Sequence, residues 1–489
     1  MASLEEIRNE RKKKLTNLID AGVNPYPIKT SRNKDIASLV KDFPKLVKGK
    51  KSLVIAGRVL SKRGQGGLVF IDLNDGTGKI QSLFKKDELA VKDFTLFEET
   101  VDLGDIIEVR GGLFLTKRGE KSILVKKWTM LSKSLRPLPD KWHGLADVEE
   151  RFRRRYLDSL MSPEVKERFI IRSKTISSLR ANLDKANFLE VETPMLQPVP
   201  GGATAKPFKT HHNTLGLDLF LRVSPELYLK QMLVGGFTKI YEVSRNFRNE
   251  GIDQTHNPEF TMLEFYQAYS CASDQQKFVE KLLQQVLKNI TGQSTFNYGK
   301  DQIDFSTPFK RVSYFDLLKR YALIQDPETI PDDKLLLKTK QLGVKVGKGD
   351  SREKILDNIY KKTCRPKLIQ PTFVEDYPVN YLPLAKRLTN NPNLVDAFQL
   401  VIAGIELVKA FSELNDPLDQ RERFSNQEKM RQAGDDEAQH KDEAFLEALE
   451  YGMPPAGGVG IGIDRLVMLL TNTTNIKEVI FFPTMRPKD

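Results

Sequence analysis

Cysteine is scarce in this sequence of 489 residues, which contains only Cys271 and Cys364. The two lie far apart and neither belongs to a CxxC motif, so neither a disulfide framework nor a cysteine zinc site is predicted. Histidine is also rare, with five residues, of which only His211 and His212 are neighbours. The sequence therefore predicts no metal site built from histidine and cysteine, and it favours a reducing compartment.

Long apolar runs are missing as well. No stretch approaches the roughly 18 consecutive apolar residues that read as a membrane span. The N-terminal segment MASLEEIRNERKKK has neither the apolar core nor the cleavage site of a signal peptide. We therefore expect a cytoplasmic protein with no membrane partner.

Basic residues are in excess, with 77 Lys and Arg against 65 Asp and Glu, for a net charge of +12. The first fifty residues hold twelve basic and six acidic side chains, so a tenth of the chain carries half of the excess. Such a balance suits a polyanionic partner but also suits solubility. The run Arg11–Lys14 lies on a helix predicted for residues 3–21 and is either a solvated face or a phosphate-contacting arm.

Short β-prone runs separated by turn signals occupy residues 53–131. Five short strands in this length suggest a small barrel of the OB type, a fold that binds single-stranded nucleic acid through aromatic residues. Phe70 and Phe84 are either stacking platforms or core residues, and for an isolated phenylalanine the core is favoured. The predicted strands are Leu53–Leu60, Leu68–Leu73, Lys79–Phe84, Asp105–Thr116 and Ile123–Leu131.

A second, larger domain follows a Pro-rich, charged stretch at residues 132–147, which reads as a linker. Helices and strands alternate irregularly after it, so the predicted class is α+β. The predicted organisation is a basic helical extension (1–50), an OB-type barrel (51–132), a linker (133–150) and a larger domain of mixed helices and strands (151–489).

The segment Tyr241–Tyr266 carries the strongest functional signal. Its second β-prone run places Phe260, Met262, Glu264 and Tyr266 on one face through period-2 alternation. Ionisable and aromatic side chains that share a face are not a core pattern. A buried Glu264 needs a cationic partner, because an unpaired buried carboxylate is costly.

Two further segments carry charged residues in apolar surroundings. Glu406 and Glu413 could hold a hard cation such as Mg²⁺ through oxygen ligands, whereas an isolated pair would be read as two surface glutamates. The glycine run GGVGIGIDR ends at Arg465, whose guanidinium can bind phosphate or a ring face. Glycine-rich junctions are weak signals alone, because close packing of a helix on a strand explains many of them.

These segments together resemble the three sequence motifs of class II aminoacyl-tRNA synthetases, and the bacterial-type lysyl group most closely. FLEVETP (188–194) resembles motif 1, SRNFRNEG (244–251) motif 2 and GGVGIGIDR (457–465) motif 3. The strings PGGATAKPFKTHHN, SPELYLK, HNPEFTMLEFY and FSELND resemble those of the lysyl group. The resemblance covers nearly the whole chain and implies an OB anticodon-binding domain, an antiparallel catalytic sheet and, from motif 1, a homodimer.

The resemblance implies roles for individual residues in a reaction between ATP, L-lysine and tRNA-Lys, with Mg²⁺. Arg248 and Arg465 are implied as catalytic. The ATP-binding set is Arg248, Glu250, His256, Asn257, Phe260, Glu406 and Arg465. The lysine-binding set is Gly202, Glu226, Arg248, Glu264, Tyr266 and Asn415. The metal ligands are Glu406 and Glu413, and the anticodon contacts are Arg58, Phe70 and Gln81.

Three positions depart from the pattern of the family. Thr255 and Lys206 stand where arginine is commoner, and Lys409 occupies a position that is often small or neutral, close to the acids implied for Mg²⁺. Other functions remain open from the sequence. A sister enzyme for aspartate or asparagine is disfavoured by Glu226 and Glu264, which would repel its substrate. A lysine-adenylating paralogue that modifies a protein would lack the barrel, and a non-catalytic tRNA-binding paralogue would be expected to lose key charged residues.

Overall fold

A computed structural model of the chain describes residues 3–49, 52–139, 145, 147–347, 350–432, 434 and 437–488. The chain divides into two compact units, residues 1–145 and 146–489. Residues 140–144 and 146 of the predicted linker lie outside the described residues. No helix in the described part of the chain is long and apolar enough to cross a membrane.

The first unit contains a closed five-stranded barrel with the strand order β1-β2-β3-β5-β4. Val69, Ile71 and Leu73 alternate with partly exposed residues along one strand, as expected when one face lines the barrel core. The predicted barrel is therefore confirmed. Its strands are β1 (Leu53–Gln65), β2 (Leu68–Asn74), β3 (Lys79–Lys85), β4 (Ile106–Leu115) and β5 (Lys121–Ser132).

Four helices accompany the barrel: α1 (Leu4–Asp20), α2 (Ile36–Lys41), α3 (Phe43–Lys48) and α4 (Val91–Thr100). The predicted capping box is present, because Ser3 accepts a hydrogen bond from the Glu6 backbone and Glu6 accepts one from the Ser3 backbone. Leu18, Ile36 and Phe43 pack into the core of the barrel. The N-terminal fifty residues thus complete the barrel unit.

The basic run on α1 is only partly available to an outside partner. Arg11 is buried and donates hydrogen bonds to the carbonyls of Leu103 and Ser134, and Lys14 forms an ion pair with Asp102 at 2.7 Å. Lys12 and Lys13 are exposed. The run Arg11–Lys14 is therefore neither a fully solvated face nor a free phosphate-contacting arm, because Arg11 and Lys14 hold α1 against the barrel.

One of the two predicted stacking residues is in the core. Phe84 is fully buried and stacks on Phe97, with ring centroids 3.6 Å apart, so the favoured prediction of a core residue is confirmed and Phe84 is not a stacking platform. Phe70 is partly exposed on the outer face of β2. The register between β2 and β3 pairs Asp72 with Gln81, which places Gln81 on the same outer face as Phe70.

Arg58 lies within β1 and not at its end, because this strand continues five residues past the predicted boundary. Its guanidinium donates a hydrogen bond to the carbonyl of Gly104 at 2.7 Å. Burial lowers the pKa of Arg58, with the charge of Asp105 opposing that effect. One of its donors is thus already used within the barrel unit.

The second unit is built on an eight-stranded sheet in the order β14-β15-β16-β17-β18-β11-β10-β6. Pairing is antiparallel except between β14 and β15 and between β10 and β6, so the predicted antiparallel sheet is confirmed. The strands of this unit are β6 (Leu189–Glu190), β7 (Leu196–Gln197), β8 (Phe208–His212), β9 (Leu217–Leu221), β10 (Lys239–Phe247), β11 (Glu259–Ala268), β12 (Thr295–Tyr298), β13 (Asp301–Asp304), β14 (Lys310–Ser313), β15 (Thr372–Pro378), β16 (Leu394–Ile402), β17 (Ile405–Ser412) and β18 (Ala456–Gly462).

Helices α7, α9 and α15 cover one face of this sheet and share a large apolar core with it. The longest of the three is α7, which begins at Pro163 and ends at Lys185. The helices of this unit are α5 (Val148–Arg153), α6 (Arg155–Met161), α7 (Pro163–Lys185), α8 (Glu226–Val234), α9 (Ala272–Thr291), α10 (Tyr314–Leu317), α11 (Asp332–Gln341), α12 (Arg352–Ile359), α13 (Pro417–Gln432), α14 (Glu443–Glu450) and α15 (Ile463–Leu470).

Side-chain alternation on the central strands separates this core from the opposite face. On β11, Leu263 and Phe265 belong to the apolar core, whereas Met262, Glu264 and Tyr266 line a cavity on the other side. The predicted shared face is thus confirmed. On β18 the cavity side is occupied by glycines, which keeps the floor of the cavity close to the backbone.

A β-bulge changes the alternation on β17. Val401 pairs with Glu406 and Leu400 pairs with Val408, so Leu407 is the extra residue. Glu406 and Glu413 are seven residues apart and would point to opposite faces of a regular strand. Because the bulge adds one residue, both side chains reach the cavity.

Candidate active site

A cavity of about 240 Å³ lies on the open face of the sheet of the second unit. Strands β11, β17 and β18 form its floor, and α8 and the loop after β10 form its walls. Twelve of the thirteen residues predicted in this unit line it: Gly202, Glu226, Arg248, Glu250, His256, Asn257, Phe260, Glu264, Tyr266, Glu406, Glu413 and Arg465.

Asn415 is the predicted residue that does not line this cavity. Its side-chain amide donates to the carbonyl of Met453 at 3.0 Å, and its side-chain oxygen accepts from Lys386 at 2.7 Å. Both ends of the amide are therefore engaged elsewhere. The geometry gives no support to the assignment of Asn415 to the lysine carboxylate.

Glu264 is a buried acid on the cavity floor. The hydroxyl of Ser224 donates to its carboxylate at 2.9 Å and that of Tyr266 at 3.1 Å. Burial, reinforced by the charge of Glu226, raises the pKa of Glu264 to about 8, against the opposing effect of these two hydrogen bonds. The carboxylate is thus held in a fixed position but lacks a cation of its own among the described residues.

Lys230 lies directly behind the cavity wall on α8. Its ammonium is fully buried and forms ion pairs with Glu226 at 2.7 Å and with Glu413. Burial opposes the charge on Lys230, but the two carboxylates raise its pKa above the ordinary value. The same burial raises the pKa of Glu413.

Glu413 and Glu226 pack so closely against the backbone that no side chain fits at two glycine positions. A side chain at Gly458 would overlap Glu413 Oε1 and the ring of Tyr266. Gly202 has a φ of +88°, and a side chain there would approach the Cβ of Glu226 to 2.8 Å. The acidic end of the cavity therefore fits closely against backbone that carries no side chain.

Arg248 marks the other end of the cavity. Its guanidinium lies over the ring of Phe260, 5.0 Å from the centroid. Its Nε is buried and has no hydrogen-bond partner among the described residues. A buried donor without a partner costs free energy, so this arginine is arranged to bind an anionic ligand.

Arg465 and His256 form a hydrogen-bonded pair beside Arg248. Arg465 donates to His256 Nε2 at 3.1 Å and to the backbone carbonyl of Glu406 at 2.8 Å. Because arginine can only donate, His256 Nε2 is an acceptor, and its Nδ1–H donates to Asp253 at 2.8 Å. The orientation of the imidazole is therefore fixed from both sides.

Glu406 and Lys409 lie on β17 between the two ends of the cavity. Burial opposes the charge on Glu406, but Arg465 and Lys409 hold its pKa below the ordinary value. Enclosure by the surrounding protein lowers the pKa of Lys409, with the charges of Glu406 and Glu226 opposing that effect. Glu406 is thus an ionised oxygen ligand that faces the cavity.

The described residues contain no group of three or more His, Cys, Asp and Glu side chains that could hold a metal by themselves. Mg²⁺ in nucleotide-binding enzymes is commonly bound through one or two carboxylates together with substrate phosphates. Glu406 meets this requirement. Glu413, the other acid implied for the metal, is already paired with the ammonium of Lys230.

Sequence reasoning assigned no role to two residues of this site, Ser224 and Lys230. A signal for Lys230 was present, because Glu226 and Lys230 are four residues apart in a helical stretch and such pairs meet on one helix face. Ser224 precedes the helix by two residues and carried no comparable signal. Its contact with Glu264 spans forty positions of the chain.

The antiparallel sheet, the arginine at the motif 2 position and the glycine-floored cavity define a class II aminoacyl-tRNA synthetase. Residues 147–486 match the family described as tRNA synthetases class II (D, K and N), and residues 53–131 match the OB-fold nucleic acid binding domain. The family match covers more than half of the chain. The second unit is thus a synthetase domain, and the barrel is an OB fold.

Relatives that match nearly the full length of the chain identify its group within the class II family. The chain is 47% identical over 488 residues to a lysine–tRNA ligase of Pelotomaculum thermopropionicum, covering 99% of this chain and 96% of the relative. It is 47% identical to that of Carboxydothermus hydrogenoformans and 46% identical to that of a Roseiflexus species, with 99% of each of those relatives or more covered. The chain belongs to the lysine–tRNA ligase family of class II aminoacyl-tRNA synthetases, and it is an aminoacyl-tRNA ligase.

Proposed function

We propose that this chain activates L-lysine with ATP at the cavity described above and transfers the lysyl group to the 3′-terminal adenosine of tRNA-Lys. The observation that carries the proposal is the buried Glu264, which has two hydroxyl donors but no cation among the described residues. Such a carboxylate fits an ammonium ligand. The neighbouring Glu226 offers a second acid, as a substrate with two ammonium groups requires.

In the lysine subsite, Glu264 binds the ε-ammonium and Glu226 binds the α-ammonium. Tyr266 and Ser224 fix the Glu264 carboxylate so that little reorganisation is needed on binding. Gly202 lets the backbone approach Glu226 and Ser224 closely, where a side chain would overlap both residues. An aspartate or asparagine substrate would leave Glu264 unpaired, and a site built on such a charge pair discriminates strongly against it.

In the ATP subsite, Arg248 binds the α-phosphate and the carboxylate of lysine, where its planar fork suits both anions. Phe260 and Arg465 enclose the adenine, Glu250 accepts from the adenine amino group, and His256 and Asn257 border the outer phosphates. Arg465 is held in place by His256 and by the carbonyl of Glu406. The two arginines are the proposed catalytic residues.

The chemistry needs no nucleophile from the protein. The lysine carboxylate attacks the α-phosphorus of ATP, the bond to the bridging oxygen breaks, and pyrophosphate leaves with lysyl-adenylate as the product. The terminal ribose hydroxyl of tRNA then attacks the acyl carbon, and AMP leaves. These residues contribute by aligning the two reactants and by neutralising charge on the phosphates. Mg²⁺, held by Glu406 with a smaller part from Glu413, supplies further neutralisation when bound.

The function is tested by ATP–pyrophosphate exchange with each of the twenty amino acids. We expect exchange with lysine to exceed exchange with every other amino acid by at least about a hundredfold, because only lysine places an ammonium at Glu264. Purified protein and labelled pyrophosphate are sufficient. Exchange driven best by aspartate or asparagine, or none with any amino acid, would contradict the proposal.

The barrel unit is proposed to bind the anticodon through Phe70, Gln81 and Arg58. Replacing Phe70 with alanine is expected to weaken tRNA charging about tenfold through the KM for tRNA, since stacking on one base contributes roughly 1–3 kcal/mol. Lysine-dependent pyrophosphate exchange is expected to be unchanged. Leu115→Ala, which removes another exposed apolar side chain of the barrel, is the matched control. Equal loss of both activities would show that Phe70 is structural.

We further propose that the chain is a homodimer. Support comes from exposed apolar residues that follow α7, with Leu189, Met195 and Leu196 each about half exposed. Light scattering at micromolar concentration is expected to return twice the mass of one chain, and the mass of a single chain would contradict this. The free cysteines Cys271 and Cys364 fit the proposed cytoplasmic location.

A further inference from the structure

Lys409 is a cation that lines the cavity and has no role in the lysine and ATP subsites described above. It lies in the middle of β17, where its backbone pairs with Gln399 on one side and Gly460 on the other. The adjacent Val408 and Ala410 are buried in the apolar core under the sheet. The side chain of Lys409 is exposed and lines the cavity, so its ammonium faces the space where substrates bind.

The ammonium of Lys409 has no hydrogen-bond or ion-pair partner within the described part of the chain. Its influential charged neighbours are Glu406, Glu226 and Asp357, which favour its charged form, and Arg248, which opposes it. Lys230, the other lysine at this site, shows the contrast, because it is bound by two carboxylates and is fully buried. Lys409 therefore has bonding capacity that a ligand can take up.

The charges around Lys409 identify the chemistry of that ligand. Together with Arg248 and Arg465 it makes one side of the cavity cationic, with Glu406 and Glu226 as the nearest acids in the lining. A cationic group would be repelled there, whereas a polyphosphate would be attracted. The floor beside Lys409 is the backbone of Gly460, which pairs with Lys409 on one side and with Glu264 on the other and carries no side chain.

We infer that Lys409 binds the triphosphate of ATP directly and provides a contact that does not depend on a divalent cation. The inference rests on the proposed function, since it assigns a further residue to the same ATP subsite. A lysine ammonium is a point charge with three donors and suits phosphate oxygens. ATP is thus expected to keep part of its affinity when Mg²⁺ is absent, because the contact with Lys409 needs no metal.

The experiment is equilibrium binding by calorimetry, with ATP and with adenosine, each in EDTA and in saturating Mg²⁺. Lys409→Met is expected to weaken ATP binding about tenfold in EDTA, a usual loss for one charge-assisted hydrogen bond, and less in Mg²⁺. Adenosine affinity is expected to stay constant because it carries no phosphate. Lys409→Arg, which keeps the charge, is expected to restore most of the ATP affinity.

Lys361→Met is the matched control, because Lys361 also acts on Glu406 electrostatically but pairs with Asp357 and does not line the cavity. It is expected to leave ATP binding in EDTA unchanged. Unchanged ATP binding in Lys409→Met, or an equal loss for adenosine, would overturn the inference.

A higher KM for lysine with unchanged ATP affinity would also overturn it, by assigning Lys409 to the amino acid carboxylate. Failure of the proposed function is distinguishable. It would show as wild-type protein that lacks lysine-dependent exchange, whatever the variants do to ATP binding.

Discussion

Replacement of Glu264 by glutamine is expected to lower kcat/KM for lysine in pyrophosphate exchange by about a thousandfold. The change keeps the shape and removes the charge, and truncating one partner of a buried charge pair costs roughly 2–5 kcal/mol. The dissociation constant for ATP is expected to stay within about twofold of wild type, because Glu264 belongs to the lysine subsite. Calorimetric ATP titration and exchange kinetics measure the two quantities separately.

The pH dependence of lysine binding gives a second measure of the same residue. With a pKa of about 8, Glu264 is mostly protonated at neutral pH in the free protein. It must lose that proton to bind an ammonium, so lysine affinity should rise as the pH increases towards about 8 and level off above it. Calorimetry in buffers of different ionisation enthalpy should show that Glu264→Gln releases about one proton fewer than wild type when lysine binds.

Glu259→Gln is the matched control for this variant. Glu259 lies on the same strand, pairs with Arg245 and does not line the cavity. Its replacement is expected to leave the KM for lysine unchanged. An unchanged KM for lysine in Glu264→Gln itself would show that the ε-ammonium is bound elsewhere.

Replacement of Arg248 by methionine is expected to reduce the rate of lysyl-adenylate formation by at least about a thousandfold. Its buried Nε has no partner among the described residues, so the lost interactions are those with the α-phosphate and the carboxylate. Removing one preorganised donor from a reacting centre costs roughly 3–4 kcal/mol, and this donor group serves both reactants. Single-turnover kinetics at saturating ATP and lysine separate the loss in rate from any loss in binding.

Arg245→Met provides the matched comparison for Arg248. Arg245 lies three residues earlier on β10, pairs with Glu259 and is outside the cavity. We expect a modest effect on stability and little effect on adenylate formation. Equal rate losses in the two variants would mean that Arg248 acts through the fold. Arg248→Lys should remain strongly impaired, because an ammonium cannot reproduce a two-pronged contact.

The candidate site was predictable from sequence where local backbone geometry decides the direction of a side chain. The alternation on β11 correctly placed Met262, Glu264 and Tyr266 on one face, since strand geometry repeats every two residues. The strand pair around Gly404 and the strand-to-helix junction at Gly462 followed from equally local signals. The barrel strands were also found within a few residues of their ends.

Glu406 and Glu413 were predicted to hold one cation together. Both side chains do face the cavity, but for a reason that the sequence did not contain. On a regular strand an odd spacing separates two side chains onto opposite faces, and only the bulge at Leu407 brings them together. A bulge depends on the pairing with β16. Its position is decided by neighbouring strands and not by the residues of β17 alone.

The contacts that individual side chains make with remote segments were the least predictable feature. Arg11 lies in a basic run that suggested phosphate binding, but it bonds to carbonyls more than ninety positions away. Asn415 lies in a string shared with the lysyl group, but its amide is engaged by Lys386 and Met453. Phe84 looked equivalent to Phe70 but is covered by Phe97 of α4.

The sequence by itself determined the class of this protein, the strands that carry its site and the acids that line its cavity, because repeat period and motif spacing are properties of the local chain. The tertiary structure decided which charges are already paired. It placed Lys230 between Glu226 and Glu413, gave Glu264 hydroxyl donors but no cation among the described residues, and left Lys409 facing the cavity. Coulomb energy and desolvation depend on distances between segments that are remote in sequence, so the electrostatics of the site arise only when the chain is folded.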